Sequence, residues 1–346
     1  MRKMMKSLVL EKPGKLILQE RAVPIPGPTE ILIRVKAAAI CHTDFITMEG
    51  EHPGCKYPTV LGHEFSGIIE QCGQGVKHVK PGDRVTCLSG AYCGTCSFCR
   101  LGRFNRCLNF RDIPSDIDGA YQEMICVAAV MAYPFSNSLS FAEAALIEPA
   151  ANGYSAVDKA SIYPGEQVVI IGPGPIGLLA LQAAKLKSPG SLTMLGTRWE
   201  RLDLAAQLGA TKVINVYETD PYQAIMDITG GSGADVVVLC AGTEEAWNLA
   251  GKILASEGRV SVEALPPTYK ANWPVKVFDF TAKAISYLGI SGFTPAQFET
   301  TLRLVESKKI EVAPLITHRF ALEEYGEAFE TSAKRKDGAI KVVFEM

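Results

Sequence analysis

The 346-residue chain has no excess of charge of either sign: 35 Lys and Arg stand against 37 Asp and Glu, a net charge of −2. No strong field therefore draws nucleic acid or anionic lipid to it, and neither is expected as a partner. It also lacks an uncharged apolar run of about 18 residues, the length a membrane-spanning helix needs, so no membrane span is expected. The closest approach, Gln167 to Ala184, is interrupted by Gly172, Pro173, Gly174, Pro175 and Gly177. It reads better as a strand, a turn and a helix. The opening residues, Met1 to Lys15, are basic but carry no apolar core, so no secretion signal is expected. No long internal repeat and no low-complexity tract is present. Without a secretion signal, the ten cysteines are read as metal ligands and buried thiols in a reducing cytosol, not as a disulfide framework.

What is present is ordinary globular material, 47% hydrophobic and 21% charged, long enough for two domains with cores of their own. Residues 1 to about 150 hold short β-type runs bounded by Pro or Gly, such as Ile31 to Lys36, Gly67 to Glu70 and Asp83 to Thr86. They suggest a small irregular barrel. Phe141 to Leu146 is a helix former with Ser140 as its N-cap. From Val168 onward, apolar strands alternate with amphipathic helices. The pairs are Val168–Ile171 with Leu178–Leu186, Leu192–Leu195 with Arg201–Leu208, Val213–Val216 with Pro221–Thr229, and Asp235–Leu239 with Glu244–Leu254. Gly258–Val262 follows as a further strand. That alternation predicts βαβ units and a parallel sheet. The tail, with a helix over Gln297–Ser307 and a strand over Ala339–Phe344, is expected to return to the first domain.

Three groups of residues carry chemistry. Cys93, Cys96, Cys99 and Cys107 set four thiolates within one short loop, with the small residues Gly94, Thr95, Ser97 and Gly102 between them. This spacing predicts a closed, structural tetrahedral Zn²⁺ site; an iron–sulfur cluster is the alternative. Gly172-Pro173-Gly174-Pro175-Ile176-Gly177 follows one predicted strand and opens a helix, the context of a dinucleotide fingerprint. The helix N-terminus there offers free N–H groups to phosphates. The next strand ends in Gly196-Thr197-Arg198 with no carboxylate at its tip, which favours the 2′-phosphate of NADP(H) over NAD(H). Glu200 keeps NAD(H) open if the register is shifted. The third group is dispersed. Cys41-His42-Thr43-Asp44, Gly62-His63-Glu64 and Glu148-Pro149 hold the soft, imidazole and carboxylate donors of a catalytic zinc, but spacing alone does not join them.

Taken together, and with Pro81–Val85 and Leu208-Gly209-Ala210, these pieces resemble the zinc-containing medium-chain dehydrogenase/reductase family over essentially the whole chain. Glu148, where the alcohol dehydrogenases of that family carry a cysteine, resembles the polyol (sorbitol-type) and threonine dehydrogenase branches. The resemblance implies an α/β chain with a GroES-like β-barrel catalytic domain, residues 1–152 and 290–346. A Rossmann doubly wound parallel-sheet domain, residues 153–289, is inserted between these segments. It implies two Zn²⁺ per chain, one bound by Cys41, His63 and either Glu64 or Glu148, the other by the four cysteines. Thr43 is implied as the hydroxyl that passes the alcohol proton outward, Asp44 as the carboxylate orienting His63, and His42 as a pyrophosphate contact. Phe45, Ile46 and Met48 are candidates to line a pocket for a small alcohol, polyol or ketone. A homo-oligomer, tetramer or dimer, is expected. Two rival functions stay open: a primary-alcohol or aldehyde dehydrogenase of the same family, and a non-enzymatic NADP(H)-binding zinc protein.

Overall fold

The computed structural model describes residues 3–264, 272 and 277–346. Two compact units divide the chain: Met1–Glu148 with Thr294–Glu306 and Val312–Met346, and Pro149–Phe293 with Ser307–Glu311.

In the first unit the strand Glu30–Ala39 is central. Its Ile31, Ile33, Val35, Ala37, Ala38 and Ala39 are all buried, so both faces of this strand pack inward. It pairs antiparallel with Glu64–Cys72, with Met124–Ala128 and with the last strand, Lys341–Glu345. The sheet runs in the order Ala132–Pro134, Arg84–Cys87, Glu64–Cys72, Glu30–Ala39, Lys341–Glu345, Ile316–Phe320. The return of the tail thus has a definite register, Val343 opposite Ala39. That register brings the C-terminal strand beside the segment that leads into Cys41: Ile40 N–H donates to Val342 O at 2.9 Å. Ser140 caps the helix Phe141–Ala145 with a full capping box, its hydroxyl accepting from Glu143 N–H while the Glu143 carboxylate takes Ser140 N–H.

The second unit is built on six parallel strands. Their spatial order is Lys212–Asn215, Ser191–Gly196, Gln167–Ile171, Ala234–Leu239, Leu254–Val262, Ser286–Gly289. Numbered along the chain within this unit, that is 3-2-1-4-5-6, the doubly wound order that binds dinucleotides where the strand order reverses. Val168–Ile171 and Val236–Leu239 are buried, as parallel strands covered on both faces must be. One boundary differs from the sequence expectation. The helix from Glu244 stops at Lys252, and Leu254 already belongs to the next strand, opposite Ala234. Apolar periodicity cannot see that boundary, because Ile253, Leu254 and Ala255 are buried whichever element holds them. Among the described residues no helix is long and apolar enough to cross a membrane.

Candidate functional site

The cysteine lobe is assembled by the chain's own short turns, a helical turn over Ser97–Arg100 and a 3₁₀ turn over Phe104–Arg106. The four sulfurs lie within 4.8 Å of one another. Cys96 Sγ is 3.5 Å from Cys99 Sγ and 3.9 Å from Cys107 Sγ. A zinc tetrahedron with bonds of about 2.3 Å places its sulfurs about 3.8 Å apart, so these residues fit the ion as they stand. Main-chain N–H groups already point at the sulfurs: Cys96 N–H at Cys93 (3.4 Å), and Cys93 N–H and Asn109 N–H at Cys107 (3.3 and 3.4 Å). Hydrogen bonds from Thr95 and Cys96 pull the Cys93 thiol down to about 5, while burial pushes Cys99 up to about 12. Hydrogen bonding thus favours the thiolate forms of Cys93 and Cys96.

A second group forms inside the same unit. Cys41 Sγ, a His63 ring nitrogen and a Glu64 carboxylate oxygen lie within 4.8 Å of one another. Cys41 immediately precedes the helix His42–Met48, and His63 precedes the strand Glu64–Cys72. Asp44 ties the two segments together. Its carboxylate accepts from Cys41 N–H (2.9 Å), from Gly62 N–H (3.3 Å) and from Tyr121 OH (2.6 Å). Asp44 therefore acts on the main chain beside the ligand candidates and on the His63 ring through its charge. Gly62 has φ +92°, and a Cβ there would lie 2.6 Å from the Tyr121 ring, so glycine is required. Thr43 Oγ1 is 3.7 Å from Cys41 Sγ, so the hydroxyl expected to move a proton stands next to the sulfur.

The charges of this buried group show what it accommodates. Burial alone would lower His63, but the Cys41 sulfur, Glu148 and Asp44 outweigh it and hold the imidazole well above its usual value. Burial raises Glu148 to about 7, with His63 and Lys341 opposing the rise and Glu64 adding to it. So many acidic groups around an interior histidine make a site that favours a cation. Mixed S, N and O donors match a catalytic zinc.

Two residues that sequence reasoning missed complete the surroundings. Tyr121 is fully buried, edge-on to Phe329 and Phe344. Lys341, 3% exposed, places its ammonium against both oxygens of Glu64, and its Nζ also donates to Ile40 O at 3.1 Å. Tyr121 had no signal in its neighbourhood. Lys341 had one, a lone lysine inside the apolar run Ala339–Phe344. Of the pocket candidates, Ile46 is buried, at 4% exposure. Phe45 stands edge-on to Phe329.

In the second unit the glycine turn joins the strand Gln167–Ile171 to the helix Pro175–Lys185, of which Pro175 and Ile176 form the first turn. Gly172 adopts φ +102°, Gly174 faces open space where a Cβ would meet nothing, and a Cβ on Gly177 would run into Gly172 O. Turn, open cradle and close helix–strand packing are the three uses such glycines serve around a pyrophosphate. Gly196 ends its strand beside the glycine turn. A Cβ there would strike Pro173 at 2.5 Å, so the glycine is fixed by packing against the turn. Thr197 and Arg198 are exposed just beyond it, before the helix Trp199–Leu208. Trp199 Nε1 donates to Glu218 at 2.6 Å. His42 is exposed at the start of its own helix.

Comparison with known proteins gives the same picture. Residues 27–137 match the family model described as alcohol dehydrogenase GroES-like domain, and residues 175–307 match that of zinc-binding dehydrogenase. The chain is 34% identical to a sorbitol dehydrogenase of Halalkalibacterium halodurans, over 95% of each. It is 34% identical to an L-threonine 3-dehydrogenase of Bacillus licheniformis, over 98% of this chain and 99% of the other. A solved structure of a zinc-binding dehydrogenase from Sinorhizobium meliloti 1021 bound to NADP superposes with a TM-score of 0.93 at 31% identity, covering 100% of both chains.

Proposed function

The chain belongs to the zinc-dependent alcohol and polyol dehydrogenase family, and from that premise we propose that it transfers hydride between NADP(H) and a secondary alcohol, polyol or ketone. The observation that carries the reading is the convergence of Cys41, His63 and Glu64, with Glu148 beside them, in a buried setting that favours a cation. Cys41 and His63 hold the catalytic ion, with Glu64 and Glu148 as the carboxylates available to it. Cys93, Cys96, Cys99 and Cys107 hold the structural one. When bound, zinc polarises the substrate oxygen and the nicotinamide exchanges the hydride.

The chain's own residues do the rest. Asp44 fixes the distance between the Cys41 and His63 segments through its two main-chain bonds. Thr43, its hydroxyl 3.7 Å from Cys41 Sγ, would take the proton of the substrate hydroxyl. Gly172, Gly174 and Gly177 shape the pyrophosphate cradle, and Thr197 with Arg198 receives the 2′-phosphate. A carboxylate among the catalytic ligands, together with the sorbitol and threonine dehydrogenase relatives, supports secondary over primary hydroxyls. The test is a panel of polyols, secondary alcohols, ketones and aldehydes assayed with both cofactors, alongside zinc analysis. Two zinc ions per chain and turnover of secondary hydroxyls with NADP(H) are expected. A single zinc confined to the cysteine lobe would favour a cofactor-binding protein, and preference for primary alcohols or aldehydes would overturn the substrate class.

A further inference from the structure

We propose that Lys341 is a positioning residue that competes with the catalytic metal for Glu64 and so sets how tightly that ion is held. The inference rests on reading Cys41, His63 and Glu64 as the catalytic metal site. Lys341 lies in the final strand, Lys341–Glu345, whose Val342, Val343 and Phe344 are buried apolar residues. An ammonium in such a run is costly to bury unless it is paired. Its pairing is complete: Nζ reaches Glu64 Oε1 at 2.6 Å, Glu64 Oε2 more closely still, and Ile40 O at 3.1 Å. Three donor hydrogens meet three acceptors.

The position of those acceptors is what matters. Ile40 precedes Cys41, and Glu64 follows His63. The ammonium thus touches both segments that carry the ligand candidates. Glu64 also has an oxygen within 4.8 Å of Cys41 Sγ and a His63 nitrogen. One carboxylate therefore has two cationic claimants, a lysine built into the fold and the ion. A carboxylate oxygen has room for both a hydrogen bond and a metal bond, but each weakens the other by drawing on the same charge. With Lys341 in place, the ion keeps one fully anionic ligand fewer, which makes it easier to release and more electrophilic toward substrate oxygen.

Two substitutions push the competition in opposite directions. Lys341→Met removes the rival and leaves Glu64 to the metal alone. Lys341→Arg offers a fork that grips both carboxylate oxygens and holds Glu64 away more firmly. The measurement is the rate at which the holoenzyme yields its catalytic zinc to a chelator, that ion being identified as the one missing from Cys41→Ser. The visible spectrum of the cobalt-substituted enzyme reports the ligand set independently. Release should slow by about tenfold in Lys341→Met and quicken by about tenfold in Lys341→Arg, the scale on which partners of metal ligands act. The cobalt spectrum should change in Lys341→Met and revert when Glu64→Gln is added. Equal release rates in wild type and both variants, or faster release from a folded Lys341→Met, would overturn the proposal. If Lys341→Met does not fold, the arginine variant decides alone, and unchanged or slower release there is the overturning result. A wild type with zinc only in the cysteine lobe would remove the metal reading itself. Two zinc ions whose release ignores position 341 would remove only the role of Lys341.

Discussion

The two candidate metal-ligand groups of the first unit are built in opposite ways. The cysteine lobe draws four identical donors from one loop, Cys93 to Cys107, and orients them with that loop's own N–H groups. The other group draws unlike donors from Cys41, His63, Glu64 and Glu148, and needs Asp44, Tyr121 and Lys341 to balance and place them. A closed set of four thiolates leaves no position for substrate, whereas three mixed donors, here Cys41, His63 and one of the two carboxylates, leave one. The first group should therefore contribute stability and the second chemistry. A site that does chemistry carries buried charges which only the whole fold can neutralise.

The sharpest way to break that contrast is to remove one ligand from each. Cys41→Ala should lower turnover by at least about 10³-fold, since the ion's Lewis acidity is worth several kcal/mol. Zinc should fall from two ions to one, with little change in Tm. Near-normal turnover would remove Cys41 from the site. Cys99→Ser should do the reverse: the lobe zinc is lost and Tm falls, by roughly 5–10 °C for a loss of about 3 kcal/mol. Unchanged metal content and Tm would show that the lobe is not a zinc site.

This contrast also explains what the sequence made legible. The cysteine lobe, the glycine turn and the βα alternation are local, and their spacing carries their geometry. The parallel sheet follows from short apolar strands alternating with helices, but the 3-2-1-4-5-6 order of those strands is seen only in the structure. The dispersed site was not legible from spacing. Cys41, His63 and Glu148 each have an ordinary reading taken singly, and only the family resemblance joined them. Resemblance could not reach Lys341 or Tyr121, because their role depends on register: Val343 opposite Ala39 decides that Lys341 points at Glu64. The close approach of Gly196 to Pro173, where a Cβ would meet the ring at 2.5 Å, likewise had no signal in the sequence.

The nucleotide loop is a local feature, so one side chain should govern its preference. Arg198→Ala should weaken NADP(H) by about tenfold, the low end for a charge-assisted hydrogen bond because Arg198 is exposed. NAD(H), with no 2′-phosphate, should change little. Kd for both cofactors in both proteins checks it. Equal weakening, or a wild type that already prefers NAD(H), would show that Arg198 does not read the phosphate.

An effect of similar size tests the support behind the assembled site. Tyr121 donates to Asp44 at 2.6 Å, and burial, reinforced by Asp44, keeps its phenol protonated and able to donate. Tyr121→Phe removes that donor while keeping the ring against Phe329 and Phe344. Asp44 then retains only the Cys41 and Gly62 N–H groups. A hydrogen bond to a charged group is worth about 1.5–3 kcal/mol, but two of the three donors remain, so the lower figure applies. A purely structural tyrosine would show that loss in Tm alone. A tyrosine that holds the Cys41 and His63 segments in register should also lower kcat by about tenfold, leave KM nearly unchanged and alter the cobalt spectrum. A variant with lowered Tm, wild-type kcat and an unchanged spectrum would show that Asp44 holds the two segments without help, and that the site is less dependent on the distant fold than the contrast with the cysteine lobe implies.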